Sequence, residues 1–102
     1  MMETERIQSI IMSAMTTMNV SRESDEQLEI GVEAPIFGPD SMLDSLGLVS
    51  LLIDIEELFA DEGITIALSD ERAMSQKRTP YRDVPTLTAF IESQISENLK
   101  VQ

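Results

Sequence analysis

The chain of 102 residues contains no histidine, no cysteine and no tryptophan, and its seven basic residues stand against nineteen acidic ones. Each shortage excludes something. Without cysteine there are no disulfides and no thiolate metal sites. Without histidine a serine nucleophile lacks its usual base, and there is no Gly-x-Ser-x-Gly elbow. A serine–lysine pair would have to recruit Lys77 or Lys100, neither at a recognisable spacing. Glu56 and Glu57 are neighbours on a helical pattern and point apart, which suits solvation better than acid–base work. No segment matches the Asp-x-Asp-x-Asp-Gly loop of a calcium site; Asp40 to Asp44 comes nearest and lacks the remaining ligands. We therefore expect neither an enzyme nor a metal protein. No apolar run approaches the about 20 residues of a membrane span. The opening Met-Met-Glu-Thr-Glu-Arg lacks the basic start and unbroken apolar core of a signal peptide. A cytoplasmic monomer is the expectation.

What is present is acid and aliphatic. A net charge of −12 repels phosphate backbones, so nucleic acid is a poor partner and the basic faces of other proteins are good ones. Hydrophobic residues make up 42% of the chain but aromatics only 4%, so the core must be built from aliphatic side chains with methionine filling gaps. The length fits a single domain over 1–102 with one modest core and no deep cleft.

Helical periodicity dominates. From about Glu3 to Met18, the residues Ile7, Ile10, Ile11, Ala14, Met15 and Met18 repeat at i, i+3, i+4, i+7, i+8 and i+11, which is one face of a helix. Ser45 to about Asp61 reads as a second helix, capped by Asp44 and stopped by Gly63. Ser69 could cap a short helix over Asp70 to Gln76, ended before Pro80. Asp83 could cap the last helix, with Pro85 tolerated in its first turn and Leu87, Phe90, Ile91, Ile95 and Leu99 turned inward. The expected fold is all-α: a small four-helix bundle, three longer helices and one short one. Between the first two helices runs a long connection, Asn19 to Leu43. Leu28, Ile30, Val32, Ile36 and Phe37 are its expected anchors, and a short strand over Leu28–Val32 is conceivable without an obvious partner.

The second helix carries two apolar stripes. At about 100° per residue, Leu48, Leu51, Leu52, Ile55 and Phe59 share one face and form the expected core side. Leu46, Val49 and Ile53 lie roughly opposite, with Ser50 and Glu57 beside them and Glu56 on the flank. One small core cannot bury both stripes. The outer one is expected to dock partner proteins, the apolar side chains supplying affinity and the carboxylates orientation. The bland alternative is that the long connection folds over it.

This helix opens with Asp44-Ser45-Leu46, after Leu43, and ends with Glu56-Glu57-Leu58-Phe59; the last helix carries Thr86-Leu87 and Phe90-Ile91. In these residues, and in the order of its helices and long loop, the chain resembles the acyl carrier protein family. The resemblance implies that Ser45 bears 4′-phosphopantetheine, drawn from coenzyme A, in a phosphodiester linkage, with Asp44 and Leu46 in the motif read by a phosphopantetheinyl transferase. It implies a non-catalytic role: acyl groups are shuttled as thioesters between ligases, synthases and transferases with basic docking faces, in fatty-acid, lipid or related biosynthesis. The reactive thiol arrives with the prosthetic group, so the chain needs no cysteine. It implies further that Leu51, Leu52, Ile55 and Leu87 could line a pocket for the attached chain. An aminoacyl or peptidyl carrier, or a helical docking module without a prosthetic group, would share these features.

The departures point to a specialised carrier. Housekeeping fatty-acid carriers usually have acids two and five positions after the serine, where this chain has Gly47 and Ser50. The segment before the last helix, Ala67 to Arg82, is long and holds Arg72, Lys77, Arg78 and Arg82, four of the seven basic residues.

Overall fold

A computed structural model describes residues 3–38, 41–68 and 80–100. Three helices are found there: α1, Thr4–Asn19; α2, Ser45–Asp61; and α3, Val84–Lys100. The fold is all-α, but the expected four-helix bundle is not what the structure supports; it gives three helices, with α1 packed against both α2 and α3. The short helix expected over 70–76, with Arg72, Lys77 and Arg78, falls outside the described residues, as does the side chain of Leu99.

The helices form where period and capping agree. On α1 the buried residues are Ile7, Ile10, Ile11, Ala14 and Met15, five of the expected stripe, with Met18 half-buried at its end. On α2 they are Leu48, Leu51, Leu52, Ile55 and Phe59, the expected core face without exception. That helix ends in a Schellman turn: Gly63 takes φ +79°, its N–H donates to the Ala60 carbonyl, and the Ile64 N–H donates to the Phe59 carbonyl. Glycine reaches this left-handed backbone without a Cβ penalty, and Ile64 then folds back against the core.

Helix α3 starts where Asp83 accepts from the Thr86 N–H at 2.9 Å. The inward face holds Val84, Leu87, Ile91 and Ile95, while Phe90, expected inside, is half-buried and meets the Tyr81 ring edge-on at 6.4 Å. The Tyr81 hydroxyl donates to the carbonyl of buried Leu68, fastening the chain after α2 to the start of α3. Replacing Tyr81 by phenylalanine keeps the ring and strands that carbonyl. We expect a loss of about 1–3 kcal/mol in urea unfolding with an unchanged m-value.

Among its described residues the long connection between α1 and α2 contains no strand, and its one sheet-like feature is elsewhere than expected. Residues 34–37 run antiparallel to 82–84, with the Ile36 and Phe37 N–H groups donating to the Arg82 carbonyl and the Val84 N–H to the Ala34 carbonyl. The last bond satisfies a donor that the first turn of α3 cannot satisfy internally. Leu28, Ala34 and Ile36 are the buried anchors and Phe37 is half-buried, whereas Ile30 and Val32, expected as anchors, are exposed. The register explains the choice. Asn19, at the end of α1, accepts from the Leu28 N–H at 2.7 Å and donates to its carbonyl at 2.9 Å, pinning that residue inward.

Asp83 also gives the fold a pH dependence. Burial pushes its carboxyl up, but the hydroxyl and N–H of Thr86 and the neighbouring Arg82 guanidinium outweigh this and hold it below the usual value. A carboxyl depressed in the folded state contributes stability above its unfolded pKa, about 3.9, and loses it as the pH falls through the lower folded value. Asp83→Asn keeps the cap but not the charge. The stability advantage of the parent over this variant should therefore shrink below about pH 4, as read from paired melts across the acid range.

Candidate functional site

The site is the first turn of α2 and the strip running from it. Asp44 is in extended conformation and its Oδ1 accepts from the Gly47 N–H at 2.7 Å, while its carbonyl accepts from the Leu48 N–H at 2.9 Å. Ser45 is the first helical residue and is exposed. The first turn of α2 contains no acidic residue, and the cap carboxylate of Asp44 is a negative charge set against the N-terminal end of the helix dipole.

Gly47, one of the two departures from the acidic pattern, has a local reason. A Cβ built there would lie 2.8 Å from Leu43 Cδ1 and 3.1 Å from Asp44 Oδ1. Leu43 is buried, so it has little room to yield. The Leu43 side chain folds under the first turn because position 47 is bare; an acid there would press on both the core and the cap.

The outer stripe is uncovered. Leu46 is 78% exposed and Ile53 43%, with Ser50 and Glu57 also exposed and Val49 half-buried. The long connection does not fold over Leu46 and Ile53; its aliphatic residues Leu28, Ala34 and Ile36 go to the core instead. Met42, 57% exposed and just before the motif, is a further large apolar residue on the surface here. Sequence reasoning passed over it because it precedes the helix and belongs to no periodic stripe. Glu56 differs from its neighbour: its carboxylate accepts from the Leu68 N–H at 2.6 Å and so ties the chain after α2 back to the helix. Leu51, Leu52, Ile55 and Leu87, the expected lining of a chain pocket, are all fully buried in the main core.

Beside the first two turns of α2 lies an open groove of about 740 Å³. Its walls come from the end of α1 (Met18), the turn after it (Arg22, Glu26) and α2 (Leu46, Ser50, Asp54). Arg22 brings the one basic side chain to this otherwise acidic lining. Among the described residues no group of three carboxylates converges as a metal site, and no helix is long and apolar enough to cross a membrane. Comparison with family models, with curated proteins and with solved structures gave no match.

Proposed function

We propose that this chain is a non-catalytic carrier protein in which Ser45 bears 4′-phosphopantetheine and presents acyl groups to a succession of enzymes. One observation carries the reading: an exposed serine hydroxyl on the first residue of a capped helix, with an uncovered apolar strip of Leu46 and Ile53 beginning one residue later. The residues suit the group. A phosphodiester on Ser45 stands at the positive end of a helix whose first turn contains no acid, with the neighbouring Asp44 carboxylate engaged by the Gly47 N–H. The groove beside that turn is open rather than packed. When bound, the group supplies a thiol on a flexible arm, which holds the acyl cargo as a thioester.

The protein's own residues then have separable tasks. Asp44 fixes the helix start, Ser45 provides the attachment oxygen, and Leu46 completes the motif met by the phosphopantetheinyl transferase. Leu46, Val49 and Ile53 supply apolar contact to partner enzymes, and Ser50, Glu56 and Glu57 border it, Glu57 as an exposed acid for basic docking faces. Leu51, Leu52, Ile55 and Leu87 offer an aliphatic interior to an acyl chain if the helices part. Tethering replaces free diffusion by effective concentration, which is how such a chain accelerates a pathway without catalysing a step. The bare position at Gly47 and the neutral Ser50 thin the acidic surface near Ser45, in keeping with a specialised carrier for an acyl or aminoacyl cargo. The test is intact mass after incubation with coenzyme A and a broad-specificity phosphopantetheinyl transferase. A single phosphopantetheine increment supports the reading; no increment with several transferases would leave a helical docking module.

A further inference from the structure

The stretch that delivers Ser45 to the surface is short of anchors. Leu43 is buried, but Met42 beside it is largely exposed. Ser41 is bonded within the same loop: its hydroxyl donates to the Ile36 carbonyl at 2.5 Å and accepts from the Leu43 N–H at 3.2 Å, while its own N–H donates to the Gly38 carbonyl. Asp44 is bonded forward, into α2. Among the described residues, one hydrogen bond ties 41–44 across to the α1 side of the molecule. It comes from Arg22, whose Nη2 donates to the Met42 carbonyl at 3.0 Å while its Nε donates to the Glu26 carbonyl at 2.6 Å. The same guanidinium thus bridges the turn after α1 and the approach to the motif, at the edge of the groove that Asp44, Leu46 and Gly47 also line.

The partners of this arginine are informative. In a chain of net charge −12, with Glu23 and Glu26 near it in the groove lining, no described carboxylate pairs with it. Its fork reaches two carbonyls, Glu26 near the start of the long connection and Met42 near its end. That is the geometry of a brace, and it uses what lysine lacks: donors fixed in a plane at a set separation. An ion pair on the surface would have added little and held nothing in place.

Resting on the carrier reading above, we infer that Arg22 is a positioning residue for modification of Ser45. It holds residues 41–44 in the conformation in which the serine is presented at the helix start, without touching the serine itself. Removing the brace leaves α1 and the body of α2 in place and lets the approach segment, with Asp44 and its bonds to the Gly47 and Leu48 N–H groups, sample other conformations. A transferase then meets a presenting conformer for only part of the time. If that fraction falls to about one-tenth, the apparent KM for the carrier rises about tenfold while kcat is unchanged.

The experiment compares the parent, Arg22→Ala and Arg22→Lys as full chains. Steady-state modification by a phosphopantetheinyl transferase with coenzyme A is read alongside thermal melting and amide hydrogen exchange at Leu43, Gly47 and Leu48. For Arg22→Ala we expect a KM raised about tenfold, an unchanged kcat, faster exchange at those amides and a melting temperature within a few degrees of the parent. Arg22→Lys, able to reach one carbonyl at a time, should recover part of the KM. Equal KM values for parent and Arg22→Ala overturn the inference, as does unchanged exchange. A fall in kcat matched by a collapsed melting temperature also overturns it, because the arginine would then be merely structural. A parent chain that is never modified removes the carrier reading and this inference together, whereas a modified parent with an equally good Arg22→Ala substrate removes the inference alone.

Discussion

Ser45→Ala should take up no phosphopantetheine under conditions in which the parent is fully converted, and should melt within about 4 °C of it. On the proposed reading the first half is all-or-none, because one oxygen would form the linkage. The second half follows from where that oxygen sits. Ser45 is exposed at the first position of α2, while the bonds that hold the helix start are made by its neighbour: Asp44 Oδ1 to the Gly47 N–H and the Asp44 carbonyl to the Leu48 N–H. Alanine is a better helix former than serine, and exposed substitutions away from caps fall within about 0.5 kcal/mol. For a domain of this size that is a few degrees at most. Two other serines make the comparison sharp. Ser41 has its hydroxyl committed to the Ile36 carbonyl and the Leu43 N–H, so it is occupied. Ser50 is exposed on the same helix, five positions on, and lacks the Asp-Ser-Leu context. Ser50→Ala should keep the full increment. An increment surviving on Ser45→Ala would place the modification elsewhere and end the reading as stated.

What sequence could and could not reveal divides by the range of the interaction. The start of α2 at Ser45, its cap on Asp44, its stop at Gly63 and the start of α3 at Asp83 were legible because each is decided within four residues, by a side chain that bonds a nearby N–H or by a glycine free to turn left-handed. The core faces of α1 and α2 were legible from their period. The path of the long connection was not. Leu28, Ile30 and Val32 alternate without distinction in the sequence, and only the amide of Asn19, nine residues before Leu28, selects the first of them. The pairing of 34–37 with 82–84 is made by backbone groups that leave no mark in residue type. The same holds for the site. Exposure of Leu46 and Ile53 follows from a helix with too many apolar residues for one core. The engagement of Glu56 with Leu68, and the reach of Arg22 to Met42, join segments twelve and twenty residues apart and could be read only from the fold. The helix expected over 70–76 rested on a single capping serine and a proline stop, and it lies outside the described residues.

Adjacent residues on α2 give the most direct test of which face is which. Leu52→Asp should leave the chain largely unfolded at room temperature, whereas Ile53→Asp should melt within a few degrees of the parent. Leu52 is fully buried against the core, and losing it forfeits about 1.5–3 kcal/mol of side-chain burial before the carboxylate is considered. Burying that carboxylate without a partner costs several kcal/mol more, and it can be relieved only by protonation or by opening the core. A domain of this size has about 5–15 kcal/mol in total to lose. Ile53 is one residue on and about 100° round the helix, 43% exposed, so an acid there stays in water and adds one charge to a surface already acidic. Its effect should appear instead in function: with the fold retained, the apolar contact offered to a transferase or synthase is broken, and the KM for the carrier rises while the melting curve barely moves. Circular dichroism melts of both variants with transferase kinetics on Ile53→Asp make the measurement. Collapse of both would mean that the outer stripe is core after all; survival of both would mean that the inner face has been assigned to the wrong side of α2.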